Sequence, residues 1–169
     1  ILGTDRDSVI IGPSVPRIVY GDPVGIVIAE WVATTRIAKL TFEHTWSGLY
    51  ALGTTEVDSC LARFCNGGFN SVGALVLTDS EAHDSKVGVF LHTGSGPSTI
   101  RRCLFEDNEV SITFQPSQGG VVEDCVLRNG VGGIQYDTAA GAIRRCQIEN
   151  MTNLAVYLTT RGRHVEVVG

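Results

Sequence analysis

Aromatic and charged residues are scarce in this chain: aromatic residues make up 7% of it and charged residues 18%. It contains a single methionine against 20 glycines, a composition typical of strands and loops rather than of helices. No run of about 18 apolar residues occurs, which argues against a membrane-spanning segment and a membrane partner. The net charge of −5 argues against nucleic acid as the partner.

The length of 169 residues suits one domain of ordinary size with its own core. The chain starts at Ile1, without a methionine, and enters an apolar run almost at once, at residues 8–11. It ends in a second such run, at residues 165–168. We therefore expect one domain over residues 1–169 that is a fragment or processed piece of a longer protein.

A pattern of one apolar residue, two polar residues and a cysteine recurs along the chain. It occupies residues 100–103, 122–125 and 143–146, so that its cysteines are 22 and 21 residues apart. A near-constant interval of this length is typical of a solenoid. Extended in both directions, the interval predicts one column of small or medium apolar residues: Ile18, Leu40, Cys60, Ala82, Cys103, Cys125, Cys146 and Val168.

A second strand-like segment lies within each period and usually begins at glycine. These segments alternate in the manner of half-buried strands, at residues 25–28, 48–52, 73–77, 88–91, 110–114, 133–136 and 155–158. Two short strands in about 22 residues leave no room for the helix of a βαβ unit. Leucine does not recur at the fixed offsets of leucine-rich repeats. We therefore expect parallel coils stacked about 4.8 Å apart.

Residues 100–158 carry the recurring cysteine, an asparagine after it and a glycine-led second strand. This layout resembles the parallel β-helix repeat of the pectate-lyase-like superfamily. The resemblance extends over essentially the whole chain and implies an all-β, single-stranded, right-handed solenoid with three sheets and about seven to eight coils. It also implies an extracellular or cell-surface location and a bacterial or phage source. It fixes no activity, because the superfamily includes lyases, hydrolases, epimerases, tailspikes and purely structural modules.

Four of the five cysteines fall in the predicted column. Neighbouring parallel rungs hold Cβ atoms about 4.8 Å apart, farther than the roughly 3.5–4.5 Å of a disulfide. We therefore expect reduced core cysteines. No cysteine pair or histidine spacing supports zinc, so no metal and no cofactor are expected. A second core column is predicted from Phe42, Ala62, Phe105, Leu127 and Ile148.

Polar residues are expected to form columns outside the core. Asn66, Asn108, Asn129 and Asn150 each follow a first strand, which predicts an asparagine ladder at a sharp turn.

The charged residues near the cysteines form three further columns, in which the sign alternates between nearly all charged neighbours. Opposed unlike charges stabilise strand pairing by about 0.2–1 kcal/mol, so we interpret these columns as ion pairs that fix the register. They read Asp58, Ser80, Arg101, Glu123, Arg144; then Lys39, Ser59, Glu81, Arg102, Asp124, Arg145, Glu166; and Glu43, Arg63, Ser85, Glu106, Arg128, Glu149.

The outward residues of the second strands form the best candidate groove. Aromatic rings offer sugars an apolar platform, while amides, imidazole and carboxylate supply hydrogen bonds. Tyr50, Phe90, Gln115, Gln135 and Tyr157 are therefore candidate substrate-binding residues. An alternative of equal weight is that this face packs on another part of the parent protein or on a second subunit. The two rows read Val27, Tyr50, Val76, Phe90, Thr113, Gln135, Tyr157, and Ala29, Gly53, Thr78, His92, Gln115, Asp137, Thr159.

Residues 63–72 are interpreted as an inserted loop, because 13 residues separate Cys60 from Gly73, against 8 between Cys125 and Gly133. Long loops on solenoids often line the binding face. This interpretation adds three candidates for substrate binding: Phe64, Phe69 and Asn70.

Catalytic machinery is not recognisable. The motifs of polygalacturonases, alginate epimerases and pectate lyases are absent, and the isolated carboxylates have no second acid at ladder spacing on the same face. His92 and Asp137 are the remaining candidates for catalysis, and they lie two rungs, about 9–10 Å, apart.

The leading hypothesis is a module without catalytic machinery that presents a lateral face to polysaccharide. One alternative is a polysaccharide lyase or glycosidase that uses His92, Asp137 and the 63–72 loop. Another is a structural spacer or assembly element, with self-association through open solenoid ends.

Replacing Cys125 by arginine should unfold its coil locally, because each large apolar side chain buried in such a core contributes roughly 1.5–3 kcal/mol. Amide hydrogen exchange in residues 120–130 measures this. Cys125→Ala, which keeps the position small and apolar, is the control. Equal protection in the two variants would contradict the predicted core column.

Overall fold

The computed structural model describes residues 10–11, 24–28, 34–137, 139–159 and 164–169. Every regular element in these ranges is a β-strand. In chain order, the strands are β1 (Ile10–Ile11), β2 (Val24–Ile28), β3 (Thr35–Ala38), β4 (Thr41–Glu43), β5 (Ser47–Ala51), β6 (Thr55–Asp58), β7 (Leu61–Arg63), β8 (Gly67–Ser71), β9 (Leu75–Thr78), β10 (Glu81–His83), β11 (Val87–Leu91), β12 (Ser98–Arg101), β13 (Leu104–Glu106), β14 (Val110–Phe114), β15 (Gly120–Glu123), β16 (Val126–Arg128), β17 (Gly132–Asp137), β18 (Gly141–Arg144), β19 (Gln147–Glu149), β20 (Leu154–Thr159) and β21 (Val165–Val168).

The strands form three parallel sheets of seven strands each. Sheet A contains β3, β6, β9, β12, β15, β18 and β21; sheet B contains β1, β4, β7, β10, β13, β16 and β19; sheet C contains β2, β5, β8, β11, β14, β17 and β20. The chain visits A, B and C in turn, so β3 to β20 make six complete coils, with part of a coil at each end. The predicted all-β parallel solenoid is confirmed.

Each coil turns at two residues in the left-handed region. In the six complete coils, one follows the sheet A strand and the other follows the sheet B strand, and their φ angles lie between 48° and 58°. All of them except Asn150 donate their backbone N–H groups to carbonyls of the next coil, as Lys39 N does to Asp58 O at 3.1 Å. The left-handed conformation therefore occurs without a lost backbone hydrogen bond. The residues are Lys39, Ser59, Asp79, Arg102, Asp124 and Arg145, and then His44, Phe64, Asp84, Asp107, Asn129 and Asn150.

Three columns of apolar side chains, one from each sheet, contribute to the core, together with the cysteine column and a further sheet C set that includes Leu91, Phe114 and Tyr136. The sheet B column contains the five residues expected from the sequence, and Ala82 joins it between Ala62 and Phe105. Sheet A contributes Ile37, Val57, Leu77, Ile100, Val122 and Ile143, and sheet C contributes Leu49, Phe69, Val89, Ile112, Ile134 and Val156.

The cysteine column exists, but Ala82 does not belong to it. Leu77 pairs with Val57 and Ile100, so Ser80, three residues after Leu77, lies in line with Cys60 and Cys103. Its hydroxyl oxygen accepts a hydrogen bond from the Cys60 backbone N–H at 3.0 Å. The prediction for Ala82 was wrong because Cys60 and Ser80 are only 20 residues apart, whereas the series assumed 22.

The column also does not extend to Val168, the residue predicted at its C-terminal end. Val168 pairs with Arg144, so it does not continue the line of Cys146 and that prediction was wrong. Ile18 lies outside the described residues. The five cysteines are free, and all but the half-buried Cys146 are buried, which confirms the prediction of reduced core thiols.

The alternating charges are confirmed as ion pairs between coils. Arg63 contacts Glu43 at 2.9 Å, Arg128 contacts Glu106 at 2.8 Å, and Arg145 contacts Asp124 at 2.7 Å. The same two-residue error as for Ala82 affects one member of each column. Thr78, Asp79 and His83 occupy the places predicted for Ser80, Glu81 and Ser85. The place predicted for Glu166, in line with Arg145, was also wrong. Glu166 pairs in register with Ala142, and its carboxylate contacts Arg144.

The predicted four-membered asparagine ladder was wrong. Asn129 and Asn150 do stack, with Asn150 Nδ2 donating to Asn129 Oδ1 at 3.1 Å. Asn108 lies one residue past the left-handed position, where its buried amide donates to Ala82 O at 2.8 Å. Asn66 lies two residues past Phe64. Asn108 and Asn129 are 21 residues apart, but the coils that contain them pair across an interval of 22, as Glu106 and Arg128 do. The two asparagines are therefore out of line by one residue.

Residues 63–72 are not an insertion, and this prediction was wrong. They contain β8, which follows β7 at the same spacing as β5 follows β4. Residues 73–77, predicted as a second strand, instead contain the start of β9 in sheet A. The sequence of β8, Gly-Gly-Phe-Asn-Ser, has neither the β-branched residues nor the alternation by which a strand is recognised.

Glycine begins the second strands because the coils approach closely there. A Cβ added at Gly68 would lie 2.7 Å from the carbonyl oxygen of Gly88 and 3.0 Å from the Cβ of Ala62. Such contacts leave no space for a side chain, so a small residue at this position lets adjacent coils stack.

Glu123 links its own coil to the coils on both sides and should make stability depend on pH. It is 7% exposed, and its carboxylate contacts Arg101 and, at 2.6 Å, Arg145. Hydrogen bonds from these two guanidinium groups hold the pKa of Glu123 below its ordinary value of 4.5. The resulting stabilisation is complete above that value and is lost as pH falls through the lowered pKa.

Replacing Glu123 by glutamine should therefore lower the free energy of unfolding at neutral pH and have less effect in acid. Urea unfolding of both proteins across this pH range measures the difference. Glu109→Gln, at an exposed position, is the control. A cost of Glu123→Gln that does not change with pH would contradict the role assigned to these ion pairs.

Candidate functional site

One row of side chains on the outer face of sheet C carries the candidate site. The register confirms six members of the predicted row and replaces Val76 by Asn70, because β8 and not residues 73–77 belongs to sheet C. In order along the axis, the row is Val27, Tyr50, Asn70, Phe90, Thr113, Gln135 and Tyr157.

The second predicted row follows the last inward residue of each sheet C strand. His92, Gln115, Asp137 and Thr159 lie in it, one residue after the paired Leu91, Phe114, Tyr136 and Leu158. The same rule places Leu52 and Val72 where Gly53 and Thr78 were predicted, which corrects both. Ala29 lies outside the described residues.

A pocket of about 470 Å³ opens on this face. Tyr50 and Phe90 are separated by two rungs, with Asn70 in register between them. Adjacent rungs are about 4.8 Å apart, so the two half-buried rings stand about 9–10 Å from each other, one on either side of the amide. The pocket is lined mainly by Trp46, Tyr50, Asn70, Lys86, Phe90 and His92.

His92 completes the aromatic wall. Its imidazole centre lies 4.5 Å from the ring centre of Phe90 and 5.7 Å from that of Tyr50, edge to face in both cases. Burial against these rings lowers the pKa of His92 below its ordinary 6.5, because desolvation disfavours the charged form. Nε2 is buried and has no hydrogen-bond partner among the described residues.

Asn70 supplies a second polar atom at the pocket floor. The residue is 8% exposed, and its Nδ2 donates a hydrogen bond to Ser47 Oγ. Its Oδ1 is buried without a partner. Buried polar atoms are nearly always paired, so two unpaired atoms in one aromatic pocket are the polar groups expected of a binding site.

A shallower depression of about 390 Å³ lies on the same face farther along the axis. Two of its lining residues, Gln135 and Tyr157, belong to the same row as Asn70. Its lining includes Glu109, Val131, Gln135, Asn153, Leu154 and Tyr157.

The other predicted site residues lie apart from the pocket. Gln115 follows His92 in the second row and accepts a hydrogen bond from Thr93 Oγ1 at 3.3 Å. Asp137 is one rung farther, so the structure leaves the two catalytic candidates two rungs apart. A catalytic role for His92 and Asp137 stays a prediction.

Phe64 and Phe69 also fall outside the pocket. Phe64 occupies an exposed left-handed turn and stacks on His44, with ring centres 5.1 Å apart. Phe69 is 0% exposed, in the core column, so its ring cannot line a binding loop as the predicted insertion required.

Several pocket residues were not found from the sequence: Trp46, Ser47, Gly67 and Lys86. A signal for them exists in the interval of 20 residues that relates Tyr50, Asn70 and Phe90. The same interval relates Ser47, Gly67 and Val87. Coils of 20 rather than 22 residues in this part of the chain would have placed all of them on one face.

Within the described ranges, no three histidine, cysteine or acidic side chains lie close enough together to hold a metal ion. The same residues include no helix of the length and apolar character that crossing a membrane requires.

The last coil exposes several apolar side chains: Leu154, Leu158, Val167 and Val168. Self-association through the solenoid ends stays a prediction.

Residues 24–169 match a family described as the right handed beta helix region. The match covers most of the sequence, and the chain belongs to this family. The right-handed parallel β-helix implied by the resemblance is thereby confirmed. No curated protein and no solved structure matches the chain.

Removing an aromatic wall should raise the pKa of His92. Phe90→Ala exposes the imidazole to water, so its pKa should move up toward 6.5. NMR titration of the imidazole C–H signals, assigned with a His92→Gln variant, measures this. Phe64→Ala, which removes a ring that stacks on His44, should leave His92 unchanged. An unaltered pKa in Phe90→Ala would show that the ring does not desolvate His92.

Proposed function

We propose that the outer face of sheet C binds polysaccharide, without catalysis, through the pocket centred on Asn70. The observation that carries this proposal is the pairing of two features in one place. Aromatic rings at Tyr50 and Phe90 flank the pocket, and the unpartnered polar atoms of Asn70 and His92 lie inside it.

Sugars match both features. The C–H faces of a sugar ring pack against aromatic side chains, and its hydroxyls form hydrogen bonds with amides and imidazoles. The half-buried Tyr50 and Phe90 offer the apolar contacts, and the exposed Trp46 extends them at the rim. A purely structural spacer has no need of unpaired polar atoms in an open pocket.

The arrangement of the two cavities favours a chain over a single sugar. The pocket at Asn70 and the depression at Tyr157 lie on one sheet face, joined by the row that runs through Thr113 and Gln135. An extended polymer lying along the solenoid axis would contact both.

Binding fits the geometry better than hydrolysis or elimination. His92 contacts two aromatic rings, and its buried Nε2 has no hydrogen-bond partner among the described residues. General acid or base catalysis on a glycosidic bond ordinarily uses two carboxyl groups at a set separation.

A glycan array tests the proposal. The wild-type protein should bind a subset of polysaccharides, and Tyr50→Ala and Phe90→Ala should each weaken binding about tenfold, from the loss of an aromatic contact worth about 1 kcal/mol or more. Phe64→Ala is the matched control, because it removes an exposed phenylalanine outside the pocket.

Three results would contradict the proposal. Binding of no glycan, together with self-association, would favour the spacer alternative. Equal binding by Tyr50→Ala, Phe90→Ala and Phe64→Ala would place the site elsewhere. Turnover of a uronate polymer, seen as unsaturated product, would favour the lyase alternative.

A further inference from the structure

We infer that the pocket selects a hydrogen-bond donor of a neutral sugar, an O–H or N–H group, over the carboxylate of an acidic sugar, and that Asn70 Oδ1 is the selecting atom. This inference rests on the proposed function and names the class of sugar that the pocket takes.

A short relay of hydrogen bonds fixes the direction of the Asn70 amide. The Ser47 hydroxyl donates to the backbone oxygen of Leu49 at 2.9 Å. Its one hydrogen is thereby used, so Ser47 Oγ can only accept from Asn70, and Asn70 Nδ2 donates to it. In the flipped orientation the Ser47 hydroxyl would have to give up its bond to Leu49 in order to donate to the amide oxygen. The relay therefore leaves Oδ1, the acceptor, as the amide atom without a partner among the described residues.

Gly67 holds the amide in this place. A Cβ at position 67 would lie 2.5 Å from Asn70 Nδ2 and 2.6 Å from Oδ1. These contacts are shorter than any side chain tolerates, so only glycine lets the amide reach Ser47. Ser47 and Gly67 both line the pocket, and they act as positioning residues for Asn70.

The polar atom that Asn70 leaves without a partner in this pocket is an acceptor. Asn70 Oδ1 is buried and unpartnered, and a carbonyl oxygen accepts hydrogen bonds only. A sugar hydroxyl or acetamido N–H satisfies it, whereas an ionised carboxylate or sulfate presents oxygens that repel it. The pKa of His92 is lowered by burial, so at neutral pH its ring is mostly uncharged and offsets little of that repulsion.

Lys86 acts in the opposite direction. Its exposed side chain lines the rim, where an ammonium attracts anions but is screened by water and salt. The buried acceptor should outweigh it, since an unsatisfied buried polar group costs more than an exposed ion pair contributes.

The test is an array on which each glycan backbone is present in two forms, with either a hydroxymethyl group or a carboxylate at C6. The wild-type protein should bind the neutral form about tenfold or more tightly. Asn70→Ala should weaken binding of the neutral form about three- to tenfold. Ser47→Ala frees the amide to turn, and Gly67→Ala displaces it, so both should reduce the preference for the neutral form.

Asn129→Ala is the matched control, because it removes an exposed amide far from the pocket, and it should keep wild-type affinity and preference. The ratio of the two affinities, rather than either affinity alone, separates positioning from a general loss of structure. Circular dichroism and thermal unfolding establish that each variant is folded.

The outcomes distinguish the preference for neutral sugars from polysaccharide binding itself. A neutral preference that falls in Ser47→Ala supports the inference. Equal or tighter binding of the carboxylated forms overturns the inference and leaves polysaccharide binding standing. A preference that persists unchanged in both Asn70→Ala and Ser47→Ala also overturns it. Binding of neither form overturns the proposed function and, with it, the inference.

Discussion

The whole structure depends on backbone hydrogen bonding between parallel coils held strictly in register. Two left-handed corners per coil make this possible, because each turns the chain from one sheet into the next while its own N–H still donates to the adjacent coil. Once the register is set, a residue type repeated at the coil interval becomes a column, whether of apolar groups inside, alternating charges outside or aromatic rings on the face of sheet C. The core, the ion pairs and the candidate site are therefore three results of one constraint.

The periodic part of this arrangement could be predicted from the sequence. The cysteine interval in residues 100–146 reflects coils of 21–22 residues, and there the predicted apolar and charged columns agree with the register, although the asparagine column does not. At Ala82 and its neighbours the columns were misplaced because the coils there are shorter. Between Cys60 and Ser80 the interval is 20, and the difference is made up in the loop before β12. Since loop length in a solenoid is not constrained by the core, no pattern of apolar residues reveals it. The error moved Ala82 out of its sheet and hid β8.

The candidate site shows the same division. Tyr50, Phe90 and His92 could be placed on one face because alternation along a strand determines which side chains point outward. The role of Asn70 could not be predicted, since it depends on two neighbours. One of them lies on the preceding rung and the other on its own strand. Ser47 fixes the direction of the amide and Gly67 leaves space for it. Neither effect has a sequence signature, because both arise from side-chain contacts that exist only after the coils have stacked.

The alternation of charge along the outer columns has a consequence for how such a solenoid can change length. Removing the single coil β15–β17 would set Arg101 against Arg144 and Glu106 against Glu149, so like charges would meet in both columns. Removing β12–β17 instead would bring Asp79 beside Arg145 and His83 beside Glu149, which avoids the clash. Among the coils from β12 to β20, an even number of coils should therefore be lost or gained more easily than an odd number, and it is the surface charges, not the core, that set this condition.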